Sequence, residues 1–139
     1  MEAYPRTVMA FEKRFATEEA CRQYLEQLRW PEGFRCPRCG CADAWQMGRG
    51  LWLCRGCRRQ TSVTAGTVFD RSRLPLTLWF RAMWHVTNQK NGASALTVQR
   101  LLGLGSYQTA WALLHKLRRA MVRPGRDHLA GVVEADESY

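Results

Sequence analysis

The chain has 139 residues, 46% of them hydrophobic, with six cysteines and a formal net charge of +9. This length allows one ordinary domain or two small ones, and the hydrophobic content excludes a chain that is disordered throughout. No apolar run approaches the roughly 18 residues of a membrane helix, and the N-terminus lacks the apolar core of a signal peptide. The sequence therefore predicts a cytoplasmic protein with no membrane partner. In that reducing compartment, cysteines serve as metal ligands or free thiols rather than disulfides.

The positive charge is concentrated in the middle of the chain. Residues 35–126 contain sixteen Lys and Arg against two acidic residues, whereas residues 127–139 contain four acidic residues and no basic one. A segment with this excess attracts polyanions, of which nucleic acid is the commonest. The alternative is a basic surface that serves only solubility. A DNA partner would make the protein nucleoid-associated.

Residues 17–30, "TEEACRQYLEQLRW", predict a helix within an N-terminal helical segment, 1–33. Thr17 suits the N-cap position, two glutamates follow in the first turn, and Pro31 ends the pattern. Cys21 lies within this helix without a second cysteine at ligand spacing, so it is interpreted as a buried free thiol.

Four cysteines in residues 34–70 have the spacing of a zinc ribbon. Two C-x2-C pairs are separated by fourteen residues, and they consist of Cys36, Cys39, Cys54 and Cys57. Two such pairs complete a tetrahedral four-sulfur site, which zinc favours, and four protein ligands leave no open position for a substrate. We therefore expect a structural zinc ion that folds a segment with little hydrophobic core. The alternatives are incidental thiols or a redox C-x2-C pair.

Residues beside the cysteines refine this expectation. Cys41 is left out because it lies one residue past the first turn, where Gly40 suits a positive φ. Arg58 occupies the matching position after the second pair, which predicts a less favourable turn. Several arginines surround the cysteines with Trp45 and Trp52 between them, and we interpret this composition as a phosphate-facing surface rather than a merely solvated one.

Residues 71–126 predict a helix-turn-helix region. Apolar periodicity indicates helices near 76–89, 94–102 and 106–121, with the glycine turn "GLG" between the last two. In such a unit the last helix enters the major groove of DNA. The alternative is a helical hairpin that only supports a neighbouring domain.

The last helix supplies the DNA-contact candidates. We expect its packing stripe to consist of Ala110, Leu113, Leu114, Leu117 and Met121. Residues near the start of a recognition helix reach base edges, which selects Tyr107, Gln108 and Thr109. Cations further along are better placed for phosphates, and these are Lys116, Arg118, Arg119 and Arg123.

Four stretches together, "FATEEACRQYLEQLRWPEGFRCPRCG", "QTSVTAGTVFDRSRLPLTLWFRAMW", "LGLGSYQTAWALLHKLRRAM" and "VEADESY", carry a family resemblance. The chain resembles the N-terminal part of zinc-ribbon insertion-sequence transposases with a DDE-type, RNase H-like catalytic domain. The resemblance implies that the ribbon and the helix-turn-helix bind double-stranded DNA at the terminal inverted repeats. It also implies that a following domain cuts and joins DNA, with magnesium held only by the complete catalytic site.

The resemblance places the first catalytic carboxylate at Asp136, in the β-rich segment 127–139. In a strand, Glu134 and Asp136 share one face while Glu137 points the other way, which makes Glu137 the second choice. The remaining catalytic carboxylates would lie beyond Tyr139, so we expect a truncated catalytic domain represented by one isolated strand, and a chain that is inactive alone.

The predicted fold is thus a small α+β protein of several parts. Its predicted function is the DNA-binding portion of a transposase. Two alternatives stay open: a free-standing transcriptional regulator or transposition inhibitor, and a nuclease completed by another chain. The sequence does not decide whether the chain forms a homo-oligomer.

Overall fold

Along the chain of this α+β protein, helices precede and follow a small sheet. The computed structural model describes residues 3–122, 124–125 and 130–134. The helices and strands, in chain order, are α1 Val8–Arg14, α2 Glu18–Arg29, β1 Ala44–Met47, β2 Leu51–Cys54, β3 Gln60–Ser62, α3 Leu76–Asn88, α4 Ala95–Leu102 and α5 Tyr107–Ala120. Among the described residues, none of the helices combines the length and the hydrophobicity needed to cross a bilayer.

The three short strands form an antiparallel sheet in the order β1-β2-β3. Trp45 of β1 lies opposite Leu53 of β2, and Trp52 of β2 lies opposite Thr61 of β3. A single 3-10 turn, Gly48–Gly50, joins β1 to β2. Strands of three or four residues bury little surface, so this sheet needs further support to be stable.

Two separate cores divide the apolar residues. The larger one lies among the helices and includes Phe11, Phe15, Cys21, Trp79, Phe80, Val98, Leu113 and Leu114. The smaller one lies beside the sheet and has only Phe34, Cys36 and Cys54 as fully buried members, with Trp30 and Trp52 packed against them. The helices can therefore support themselves by hydrophobic burial, whereas the sheet region cannot.

The first helix, α1, was not predicted. Thr7 caps it by accepting a hydrogen bond from the Ala10 N–H at 3.2 Å, and Phe11 is its buried residue. The Phe11 ring lies 4.9 Å from that of Trp84 on α3. One inward-facing side chain in seven residues gives no apolar periodicity, so tertiary contacts rather than sequence pattern establish this helix.

The last three helices pack together much as the sequence predicted. Ser94 caps α4 by accepting from the Thr97 N–H at 3.2 Å, and Gly103 ends it with a φ of +65°. Ser106 precedes α5 but its side chain makes no capping hydrogen bond. The predicted packing stripe of α5 was wrong at one position, since Met121 is 56% exposed just beyond the last turn.

The C-terminal segment gives no support for a strand in its described part. Residues 130–134 adopt neither helix nor strand, and Val132 is 94% exposed. The sheet pairs only β1, β2 and β3 within the described residues, so no neighbouring strand hydrogen-bonds to this segment. Asp136 and Glu137 lie outside the described residues.

A carboxylate from α2 caps α3. The N-terminal neighbour of α3 is Pro75, whose side chain offers no capping group. Glu18 instead accepts hydrogen bonds from the Leu76 N–H at 3.0 Å, the Thr77 N–H at 2.8 Å and the Thr77 hydroxyl at 2.9 Å. Partial burial acts to raise the pKa of this carboxyl, but these three hydrogen bonds outweigh it and leave the pKa below its usual 4.5.

We expect Glu18→Ala to lower the free energy of unfolding by about 1 kcal/mol, because a cap is lost. Glu18 has a lower pKa in the folded chain than in the unfolded chain. Its contribution is therefore fully present above about pH 4.5 and is lost as the pH falls through the folded value. Urea unfolding at several pH values measures both effects as a difference from the wild type.

Glu19→Ala is the matched control for this prediction. Glu19 is the next residue of the same helix, and its exposed side chain pairs with Arg22 and accepts a hydrogen bond from the Gln23 amide at 3.3 Å. Such pairs contribute little. An equal loss of stability in both variants, or a Glu18→Ala difference that does not shrink at low pH, would contradict the capping role.

Candidate metal centre and nucleic-acid interface

Four cysteine sulfur atoms converge at one end of the small sheet. The Sγ atoms of Cys36, Cys39, Cys54 and Cys57 all lie within 4.8 Å of one another. The Cys36 and Cys57 sulfurs are 3.5 Å apart, and the Cys39 and Cys54 sulfurs are 3.4 Å apart. Zinc at about 2.3 Å from each of four tetrahedral sulfurs separates them by about 3.8 Å. The donor set and its spacing therefore fit a tetrahedral zinc ion.

The two cysteine pairs lie in turns with the same backbone hydrogen bonds. In the first turn the Gly40 N–H donates to the Cys36 carbonyl at 2.9 Å, and in the second the Arg58 N–H donates to the Cys54 carbonyl at 2.9 Å. A second bond closes each turn, from the Cys36 N–H to the Cys41 carbonyl and from the Cys54 N–H to the Arg59 carbonyl, both at 3.0 Å. The matching turns present both cysteines of each pair to one point.

Both turns require a left-handed residue directly after their second cysteine. Gly40 has a φ of +73° and Arg58 a φ of +59°. Glycine adopts this conformation without steric cost, whereas an L-residue with a side chain loses roughly 1–2 kcal/mol there. The sequence-based expectation of a less favourable second turn agrees with this geometry.

The thiols of this cluster differ sharply in acidity. The Cys39 N–H is the main cause that lowers the pKa of the Cys36 thiol to about 6. The Cys57 N–H is the main cause that lowers the pKa of Cys54. The Cys41 N–H acts to lower the pKa of Cys39, but the neighbouring thiols, Cys54 first, raise it to about 12. Once one or two thiolates form, further ionisation needs a cation among the sulfurs.

The other two cysteines stay apart from this cluster. Cys41 points its sulfur toward the Asp43 carbonyl at 3.7 Å and is not among the converging thiols. Cys21 is fully buried in the helical core, where burial is the main cause that raises its pKa to about 11. Both placements agree with the sequence interpretation of these residues.

The ribbon presents a basic surface, but its two tryptophans differ in role. Trp45 is 51% exposed, with the Arg55 guanidinium 4.7 Å from its ring. Trp52 stacks on Phe34 at 5.2 Å, and its indole N–H donates to Glu26 of α2 at 3.3 Å. Trp52 therefore packs against the small core, while Trp45 lies on the surface that the sequence predicted to face phosphates.

Most ribbon arginines whose side chains the structure describes have no intramolecular partner. Arg55 pairs with Asp43 at 3.3 Å. Within the described residues, the remaining exposed side chains make no hydrogen bond or ion pair, and they are Arg35, Arg38, Arg58 and Arg59. Cations without counter-ions leave this surface able to bind an anion.

Helix α5 presents most of the predicted contact residues to solvent. Tyr107 is 51% exposed, Thr109 is half-buried, and the exposed polar side chains are Gln108, Lys116 and Arg119. The buried face consists of Ala110, Leu113, Leu114 and Leu117, as predicted. Trp111 is 50% exposed and lies against the His115 ring at 3.9 Å.

Two of the predicted phosphate-contact residues, Arg118 and Arg123, differ from the others. Arg118 is exposed, but its guanidinium donates to the Ala93 carbonyl at 2.9 Å and so ties α5 to the loop before α4. Arg123 lies outside the described residues.

Sequence reasoning missed Arg73, which lies on a loop beside α5, because nothing in the pattern "DRSRL" indicates that this loop meets the last helix.

Comparison with known proteins gives two matches. Residues 16–60 match the transposase zinc-ribbon domain family, a range that contains all four converging cysteines. The chain is also 31% identical, over 131 residues, to an uncharacterized protein in transposable element ISH50 of Halobacterium salinarum. That alignment covers 91% of this chain and 43% of the relative, so the chain spans less than half of the relative's length. No solved structure matches the chain. The chain thus contains a transposase zinc-ribbon domain and is homologous to a protein of a transposable element.

Proposed function

We propose that this chain is the DNA-binding N-terminal portion of a transposase and that it recognises the ends of its mobile element. The observation on which this rests is the transposase zinc-ribbon match over residues 16–60, in which the four matched cysteines converge on one point. Homology to a transposable-element protein along most of the chain supports the same function.

The ribbon would hold zinc through Cys36, Cys39, Cys54 and Cys57. Zinc would supply a fixed cross-link between the two cysteine turns and neutralise the thiolates that bind it. All four protein ligands are used, so this site is structural and takes no part in chemistry on DNA. Its role is to hold the ribbon arginines in place.

Recognition of DNA would be divided between the ribbon and α5. Side chains near the start of α5, Tyr107, Gln108 and Thr109, would contact base edges in the major groove. Lys116 and Arg119, together with the unpaired ribbon arginines, would contact phosphates. Arg118 and Arg123 complete the proposed set, although Arg118 also has the structural contact with Ala93 described above.

We propose that cutting and joining of DNA require a complete catalytic domain in addition to the DNA-binding residues of this chain. A two-metal site needs carboxylates from several segments, and Asp136 would supply the first of them to bound magnesium. The 139 residues contain no further segment that resembles the rest of that site, so we propose that on their own they bind DNA without cleaving it.

Metal analysis of the reduced protein should find about one zinc ion per chain. Cys54→Ser removes one ligand and should abolish stoichiometric zinc and unfold the ribbon. Unfolding should change the total tryptophan fluorescence, because Trp52, one of six tryptophans, loses its stacking on Phe34. Cys41→Ser is the matched control and should keep full zinc content. Zinc lost equally from both variants would refute the assignment of ligands.

Binding to a duplex that carries the element's terminal repeat should weaken steeply with salt. If the basic surface contacts about five phosphates, log K should fall with log salt at a slope near −4.5. Arg119→Ala should weaken binding to all sequences equally, whereas Gln108→Ala should reduce the preference for the terminal repeat over a scrambled duplex. Fluorescence anisotropy across a salt series measures both quantities. A salt-independent affinity would exclude phosphate contacts.

Arg58→Gly should stabilise the ribbon and weaken DNA binding at the same time. Glycine relieves the positive φ, and the greater freedom of the unfolded chain offsets part of the gain, so the net increase should be about 0.5–1 kcal/mol. The lost guanidinium should reduce the salt slope by about 0.9.

Arg38→Ala is the control for the Arg58→Gly prediction, because Arg38 is exposed in the first turn without a positive φ. It should weaken DNA binding without the gain in stability. Unchanged DNA affinity in both variants would show that the ribbon faces away from the duplex.

A further inference from the structure

An open groove runs between α5 and the loop before α3. Its volume is about 430 Å³. One wall is the outer flank of α5 and the other is the loop Ser72–Leu74, and the lining residues on which the argument depends are Arg73, Gln108, Thr109, Ala112 and Lys116. From Gln108 to Lys116 the helix advances about 12 Å, which is the rise of three to four nucleotides of one DNA strand.

The loop wall is held rigidly by a buried tryptophan. The Trp79 side chain is 1% exposed, and its indole N–H donates to the Ser72 hydroxyl at 2.9 Å. The same hydroxyl accepts from the Leu74 N–H at 3.2 Å, and Phe69 packs edge-on against Trp79 at 5.2 Å. The backbone on both sides of Arg73 is therefore fixed, so little backbone entropy is lost when Arg73 binds a partner.

Each wall of the groove supplies one cation. Arg73 on the loop and Lys116 on the helix are both exposed. Neither side chain forms an ion pair or a hydrogen bond with another described residue, and the groove is lined by no carboxylate. The lining also includes the apolar side chains of Leu74 and Leu113. This combination of two unpaired cations and an apolar surface matches a DNA strand, in which less polar sugars join the phosphates.

We propose that this groove binds the sugar-phosphate backbone of one DNA strand, with Arg73 and Lys116 contacting phosphates from opposite walls. The inference rests on the proposed DNA-binding function and extends it to the loop that precedes the three helices of the helix-turn-helix region. Gln108 and Thr109 line the same groove, so a strand held there sets how far the start of α5 enters the major groove. Arg73 is thus a positioning contact that carries no sequence information itself.

The test compares Arg73→Ala with Lys13→Ala, in the full chain loaded with zinc. Lys13 is exposed on α1 and is not among the residues that line the groove, and its removal changes the net charge equally. Arg73→Ala should weaken binding several-fold and reduce the salt slope by about 0.9, while Lys13→Ala should change the slope little. Thermal unfolding of both variants should match the wild type, because neither side chain has an intramolecular hydrogen bond among the described residues.

A duplex with single neutral methylphosphonates identifies the phosphate concerned. At one position the neutral linkage should weaken wild-type binding but have no further effect on Arg73→Ala, while its effect on Lys13→Ala persists. Equal behaviour of Arg73→Ala and Lys13→Ala, with normal salt-dependent binding by the wild type, would overturn this inference alone. A wild-type chain that shows no salt-dependent DNA binding would overturn the proposed function and this inference with it.

Discussion

Four thiols packed within 4.8 Å of one another are the constraint on which the ribbon depends. Backbone N–H groups favour ionisation of Cys36 and Cys54, but each thiolate then opposes ionisation of its neighbours. The small core beside them has few buried side chains to compensate. A divalent cation would offset the repulsion between the thiolates by binding them. It would also join the two turns, whose first cysteines, Cys36 and Cys54, are eighteen positions apart in the chain.

Helix α2 connects the ribbon to the helical core through hydrogen bonds at both of its ends. At its C-terminal end, Arg29 donates to the carbonyls of Ser62 and Val63 at 3.1 and 2.9 Å, and Glu26 accepts from the indole of Trp52. At its N-terminal end, Glu18 caps α3. Hydrogen bonds from one helix thus fix the ribbon relative to the helical core that carries α5. Two basic surfaces held by one rigid element can engage a single duplex without the loss of affinity that a flexible linker causes.

The sequence predicted what depends on local pattern and missed what depends on distant contacts. Spacing was enough to identify the four converging cysteines, and periodicity placed α2 to α5 within a residue or two. The sequence did not separate Trp45 from Trp52, because a strand has two faces and the tertiary fold decides which of them is covered. The helix α1, the cap from Glu18 and the loop that carries Arg73 all depend on contacts between residues far apart in the chain, for which no local signal exists.

Some cations of the described residues have structural partners, and others have none. In the α2 region, Arg22 pairs with Glu19 and Arg29 satisfies two carbonyls, while on α3 Arg81 reaches Glu12 at 3.9 Å. Apart from Arg55, which pairs with Asp43, the exposed cations of the ribbon turns and of the groove beside α5 lack such partners among the described residues. Their mutual repulsion makes the folded chain less stable than a charge-balanced one, and an anion that binds beside them relieves that repulsion. Under the proposed function, duplex DNA would relieve it in both places at once, because DNA is long and regularly charged.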